Sequence, residues 1–189
     1  MSALPKLNFP PIRLRARRRG GGEEVEIWDP VRGIYLVLTP EEWVRQHLIA
    51  YLISHCGVQP TRIVEEYAVP LNGQPQRADV VVVGDDARPL LLAECKAPGV
   101  SIGRQTLAQA VRYNSVLAAR YLILTNGLTH YCCEWRDGTY VRCGSFPDLT
   151  YARQSMSLKR LDILSVPASE TKKGSLAKMN ISYTNCLYR

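Results

Sequence analysis

Two apolar runs, 78–83 and 90–96, flank Gly84-Asp85-Asp86-Ala87-Arg88-Pro89. A turn-rich segment between two such runs reads as a β-hairpin, and no other stretch constrains the chain as tightly. A hairpin centred on that segment sets Asp79 directly opposite Glu94. Opposed residues hold their Cβ atoms about 4.5–5.5 Å apart, so two carboxylates placed there repel unless a cation lies between them. Lys96 follows Glu94 by two positions and shares its strand face. Leu90, Leu91, Leu92 and Ala93 would bury these groups. Three ionisable side chains converging on an apolar hairpin are costly to keep for structure alone.

Their chemistry is coherent. Paired carboxylates are hard oxygen ligands that suit Mg²⁺ or Mn²⁺. Such an ion lowers the pKa of a bound water and neutralises charge on a phosphate. A nearby ammonium orients that water or stabilises the developing oxyanion. This is the equipment of phosphodiester hydrolysis. Glu-x-Lys alone is common as a surface ion pair. The apolar strand, the matched aspartate and the helix that follows argue for a site instead.

The surrounding pattern gives the architecture. Residues 24–28 and 34–38 read as a hairpin around Asp29-Pro30-Val31-Arg32-Gly33. Thr39 suits an N-cap, Pro40 the first helical position and Glu42 the closing member of a capping box. That helix is expected over 39–55, with Val44, Leu48, Tyr51 and Leu52 as its buried stripe and Gly57 as its stop. A strand over 62–69 precedes the central hairpin. A second helix over 103–119 carries Gln109 and Tyr113 four residues apart, hence on one face. Strands at 121–125 and 128–135 turn at Asn126-Gly127, and 140–143 extends the series. Helix, three strands, helix and further strands predict an α/β fold with a mixed β-sheet flanked by helices.

Charge is unevenly placed. The net charge is +7, yet 1–22 holds Lys6, Arg13, Arg15, Arg17, Arg18 and Arg19 with no acid, and 150–189 is also basic. The expected organisation is a basic irregular arm over 1–22, a domain over 23–149 and a basic, flexible tail over 150–189. Basic arms suit a polyanionic partner such as DNA. No stretch reaches the roughly 18 apolar residues of a membrane span, and the N-terminus has no apolar signal core. A soluble cytoplasmic protein is expected. His130, Cys132, Cys133 and Cys143 fit no zinc-finger spacing, so the six cysteines read mainly as small buried hydrophobes.

Arg77-Ala78-Asp79-Val80, then Glu94-Cys95-Lys96-Ala97-Pro98, then Gln109-Ala110-Val111-Arg112-Tyr113-Asn114, then Leu124-Thr125-Asn126-Gly127, in that order, resembles the N-terminal nuclease domain of type I restriction enzyme R subunits. More widely it is similar to the PD-(D/E)XK superfamily, restriction-endonuclease-like, in the RecB-like branch with a Gln-x-x-x-Tyr helix. The resemblance covers roughly 30–135. It implies Asp79 and Glu94 as metal ligands, Lys96 as the catalytic lysine and the Cys95 backbone carbonyl as a further ligand. It also implies that Gln109, Tyr113 and Arg77 contact DNA or support the site. An acidic residue of the first helix often joins the metal in this family. Glu41 falls with Val44, Leu48 and Tyr51 on the wheel, whereas Glu42 lies off that stripe and is expected only to cap.

No GxxxxGK[ST] appears in these residues, and no target-recognition domain is evident. DNA access and sequence choice are therefore expected from restriction or repair subunits. Nucleases that cut both strands often act as dimers, so a homodimer stays open. The expected activity is a Mg²⁺-dependent endonuclease. The alternative is a catalytically silent nucleic-acid-binding or assembly module of a restriction or repair complex.

Overall fold

The computed structural model describes residues 4–71 and 73–150. The expectation for the tail therefore falls, beyond Thr150, outside the described residues. A three-stranded antiparallel sheet comes first, formed by β1 (Ala16–Arg18), β2 (Val25–Asp29) and β3 (Ile34–Val37). Helix α1 (Pro40–Ser54) follows, then a short 3-10 turn (Pro60–Arg62). The main sheet has six strands in chain order: β4 (Ile63–Leu71), β5 (Gln74–Val83), β6 (Pro89–Cys95), β7 (Tyr121–Thr125), β8 (His130–Arg136) and β9 (Thr139–Arg142). All pairs are antiparallel except β6–β7, which helix α2 (Arg104–Leu117) links as a parallel crossover. Among the described residues no helix is long and apolar enough to cross a membrane.

The sheet lies between the two helices. Val44, Leu48 and Leu52 of α1 pack on Val80, Val82, Leu91, Ala93 and Ile123. Leu107, Ala110, Val111 and Tyr113 of α2 pack on Val81, Leu92, Leu122 and Leu124. Strand β6 is buried along almost its whole length because both faces are covered, and its apolar run reflects that. The α/β fold with a mixed sheet flanked by helices thus follows from the patterning.

The central register is as expected. Val80 lies opposite Ala93, Val81 opposite Leu92 and Val82 opposite Leu91, with an irregularity between Val82 and Val83 that tightens the turn. The β5–β6 pairing ends at Val80 and Ala93; one residue further out, the Asp79 side chain bonds the Cys95 N–H and its charge acts on Glu94.

A break in the pleat occurs at the same level. Ile63 and Val69 have the same parity in β4 yet lie in opposite cores, and so do Ala78 and Val80 in β5. Between them Glu66 adopts φ 51°, the left-handed region, while the β4–β5 register continues unshifted on either side. A non-glycine residue held there costs about 1–3 kcal/mol, a strain that the flanking strands must hold. The break turns the strand faces over beside Asp79.

Three local expectations are corrected. Thr39 does cap α1, its hydroxyl accepting from the Glu42 N–H at 3.0 Å, but the Glu42 carboxylate accepts from Gln46 at 3.0 Å instead of closing a capping box. Strands β7 and β8 are joined by 126–129, a loop longer than two residues. The Asn126 side chain accepts from the N–H groups of Leu128 and Thr129 at 3.0 and 2.8 Å, and this sets the wider turn. The stretch 1–22 is not wholly irregular. Part of it forms β1, and Leu7 and Phe9 are buried in the α1-side core. Leu7 also explains Gly127 (φ 81°), because a Cβ there would come within 2.7 Å of the leucine methyl.

Candidate metal and phosphate site

Asp79, Glu94 and Lys96 converge. Asp79 Oδ2 accepts from the Cys95 backbone N–H at 2.6 Å, which bolts the two strands together at the level of the pair. Glu94 is buried, and its Oε1 accepts from Lys96 Nζ at 2.8 Å and from Gln109 Nε2 at 2.7 Å. Its Oε2 is buried with no hydrogen-bond partner. Gln109 Nε2 lies 3.2 Å from the Tyr113 hydroxyl, which in turn donates to Gln76 at 3.3 Å. The Gln-x-x-x-Tyr pair therefore braces Glu94 from α2, as the four-residue spacing on one helical face allows.

Glu41 and Glu42 separate. Glu41 is half-buried within electrostatic reach of Asp79, Lys96 and Glu94. Glu42 is buried and faces Arg45, Asp29 and Glu65, so its expected role as a mere cap is corrected. Arg77 is exposed and lies 4.0 Å from Glu66, at the rim of the group.

Two members carry no local signal in the sequence. Arg45, buried on α1, reaches Glu66 at 2.8 Å, Glu42 at 3.2 Å and Asp79 at 3.2 Å. Burial pulls its pKa down, but the carboxylates of Glu42, Asp79 and Glu66 more than offset that and hold the guanidinium charged. Glu66 joins through its left-handed backbone. An arginine one helical turn beyond an acidic residue on a helix with a buried stripe is the only hint available.

The electrostatics are those of crowded carboxylates. Burial, then the charge of Asp79, pushes Glu94 up to about 7 despite the Lys96 hydrogen bond. Burial also raises Asp79, against the Cys95 N–H and Arg45, which lower it. For Lys96, burial opposes the charge, but the hydrogen bond to Glu94 raises its pKa overall. A carboxyl with a raised folded pKa binds more protons folded than unfolded, so stability falls as pH rises between the two values. In chelator, the chain is expected to lose thermal stability as pH rises from about 4.5 to about 7. Glu94→Gln should flatten that slope, as melting curves across this range would show. An unaltered slope would assign the effect to other groups.

The donor set fits a hard divalent cation: adjacent carboxylates, one with a buried oxygen lacking a donor. Beside it opens a cleft of about 830 Å³ lined by Lys96, Arg104, Gln105, Gln109 and Arg112. Cationic and amide groups along one cleft match a phosphate backbone.

A family model, that of the type I restriction enzyme R protein N terminus, matches residues 40–147, more than half of the chain. Among solved structures, the chain is similar to a fragment described as an HsdR subunit of a type I restriction enzyme from Vibrio vulnificus YJ016. The identity is 23% and the TM-score 0.45, over 58% of this chain and 24% of that one. The match thus spans about a quarter of that chain's length. No curated protein matches.

Proposed function

The chain belongs to the family of type I restriction enzyme R protein N termini, and from that premise we propose that it is a metal-dependent deoxyribonuclease with a PD-(D/E)XK core over 23–149. The observation that carries this reading is the buried Glu94. One of its oxygens is braced by Lys96 and Gln109, and the other is left without a donor next to Asp79. Asp79 and Glu94, with the Cys95 carbonyl and Glu41, are the residues that would hold Mg²⁺ or Mn²⁺. When bound, that ion supplies an acidified water and neutralises charge on the phosphate.

The chain's own groups do the rest. Lys96 places an ammonium beside Glu94, where it orients the attacking water and stabilises charge gathering on the phosphate oxygens. Gln109 fixes the Glu94 carboxylate, and Arg45 with the Cys95 N–H fixes Asp79. Arg104 and Arg112, along the same cleft, receive the DNA backbone. Its proposed partners are DNA and the other subunits of a restriction complex.

Mn²⁺ binding tests the metal assignment. Asp79→Asn is expected to remove one bound Mn²⁺ per chain, counted by the electron paramagnetic resonance of free Mn²⁺. It should also remove that ion's share of the thermal stabilisation, because a ligand bound only by the native state stabilises it. Undiminished Mn²⁺ binding would take the metal away from this pair.

The basic N-terminal stretch is tested by charge removal, since deleting it would also remove the core residues Leu7 and Phe9. Arg13, Arg15 and Arg18 are exposed. Changing all three to alanine should weaken DNA binding equally across sequences. The slope of log affinity against log salt should become shallower by up to about three, near one for each phosphate left without its arginine. A constant slope would exclude these arginines from the DNA interface.

A further inference from the structure

We propose that Asp29, Glu42 and Glu65 form a second cation site, separate from the Asp79–Glu94 centre, which takes one divalent ion of about the size of Ca²⁺. The three residues come from the end of β2, the first turn of α1 and β4, and all are buried. One carboxylate oxygen from each lies within 4.8 Å of the other two.

The hydrogen bonding around them is incomplete in a specific way. Asp29 Oδ1 is used, accepting from the N–H groups of Val31 and Arg32 at 2.9 and 3.0 Å. Glu42 accepts from Gln46 and pairs with Arg45. Asp29 Oδ2 and both oxygens of Glu65 are buried without any donor. Within this group Arg45 forms an ion pair with Glu42, its charge also reaches Glu65, and it is shared with Glu66 and Asp79.

A proton shared between Asp29 and Glu65 would satisfy one oxygen of each and leave the other Glu65 oxygen orphaned. Leaving a buried polar atom unsatisfied is costly. A cation satisfies all of them at once: Glu65 through both oxygens, Asp29 through Oδ2, and Glu42 through one. Ca²⁺ accepts bidentate carboxylates and irregular geometry at about 2.3–2.6 Å, so ligand oxygens on opposite sides of it stand about 4.6–5.2 Å apart. Oxygens no more than 4.8 Å apart fit inside that span, and a carboxylate offered through both oxygens suits the irregular geometry of Ca²⁺ better than the near-ideal octahedron that Mg²⁺ demands at about 2.0–2.1 Å.

Such an ion would tie the small sheet to the main sheet through α1. It would also fix Glu42, and through it the arginine that holds Asp79. The proposal stands independently of the nuclease reading.

The experiment is calorimetric titration of Ca²⁺ into the chain carrying Asp79→Asn and Glu94→Gln, which disables the other centre. One Ca²⁺ per chain is expected, with a rise in melting temperature over the same chain in chelator. Adding Glu65→Gln, which keeps the shape, should weaken that binding at least about tenfold, since it removes the ligand supplying two oxygens. Asp29→Asn, which keeps the Oδ1 turn contacts, should weaken it in the same direction. Melting curves in chelator establish that each variant folds, and relief of carboxylate repulsion should leave them at least as stable as their parent. Retention of one Ca²⁺ with the cluster intact supports the site whatever occurs at Asp79 and Glu94. No Ca²⁺ uptake by that chain, or uptake indifferent to Glu65→Gln, overturns it.

Discussion

Replacing Lys96 by alanine is expected to lower DNA cleavage about 100-fold or more while the fold and cation binding at Asp79 and Glu94 persist. Lys96 shares a strand face with Glu94 and donates to its Oε1, yet an ammonium has no lone pair and cannot be a metal ligand. Its removal does not orphan that oxygen, because Gln109 still donates to it. What disappears is a positive charge where charge builds on the phosphate. Cleavage of an oligonucleotide duplex in Mn²⁺ by both chains, with melting curves, measures this. Equal rates would place the chemistry elsewhere. A variant that melts far below the parent would make Lys96 a structural residue.

The second large effect is on stability. Arg45→Ala is expected to cost about 3–5 kcal/mol, the range for breaking a buried ion pair by removing one partner. Arg45 is 9% exposed and serves Glu42, Glu66 and Asp79 together. Without it those carboxylates are left with no shared counter-charge in a poorly solvated place. At roughly 2–4 °C per kcal/mol for a chain of this length, the melting temperature should fall by about 6–20 °C. Arg45→Lys keeps a charge but not the three-way reach of the guanidinium, and should recover only part. Denaturant unfolding gives the figure, and a cost below about 1 kcal/mol would show that solvent already screens these carboxylates.

The hairpin was legible because its register is arithmetic. Once the turn at Gly84-Asp85-Asp86-Ala87-Arg88-Pro89 is placed, Val80 must meet Ala93, and Asp79 and Glu94 just beyond them fall within electrostatic reach of each other. Helical periodicity in the same way put Gln109 and Tyr113 on one face, and the structure joins them to Glu94. Other features depend on partners far away in the chain. Arg45 is buried only because three acids surround it, two of them from β4 and β5. Glu42 looked like a cap because a wheel drawn for α1 alone takes no account of the acids at the end of β2 and in β4. The left-handed backbone of Glu66 has no sequence mark, since glutamate is not a residue that favours it. Leu7 and Phe9 stand among prolines and basic residues, so composition hid two core anchors.

Membership of the R protein N-terminal family and the arrangement around Glu94 meet in one expectation, which cleavage tests most directly. Supercoiled plasmid is incubated with the purified chain in Mn²⁺, in Mg²⁺ and in chelator, beside Asp79→Asn under the same conditions. The account predicts nicking or linearisation by the parent chain with either ion, none in chelator and none by Asp79→Asn. Cleavage that survives in chelator or in Asp79→Asn would contradict it, as would a parent chain that binds DNA and Mn²⁺ but leaves the plasmid intact.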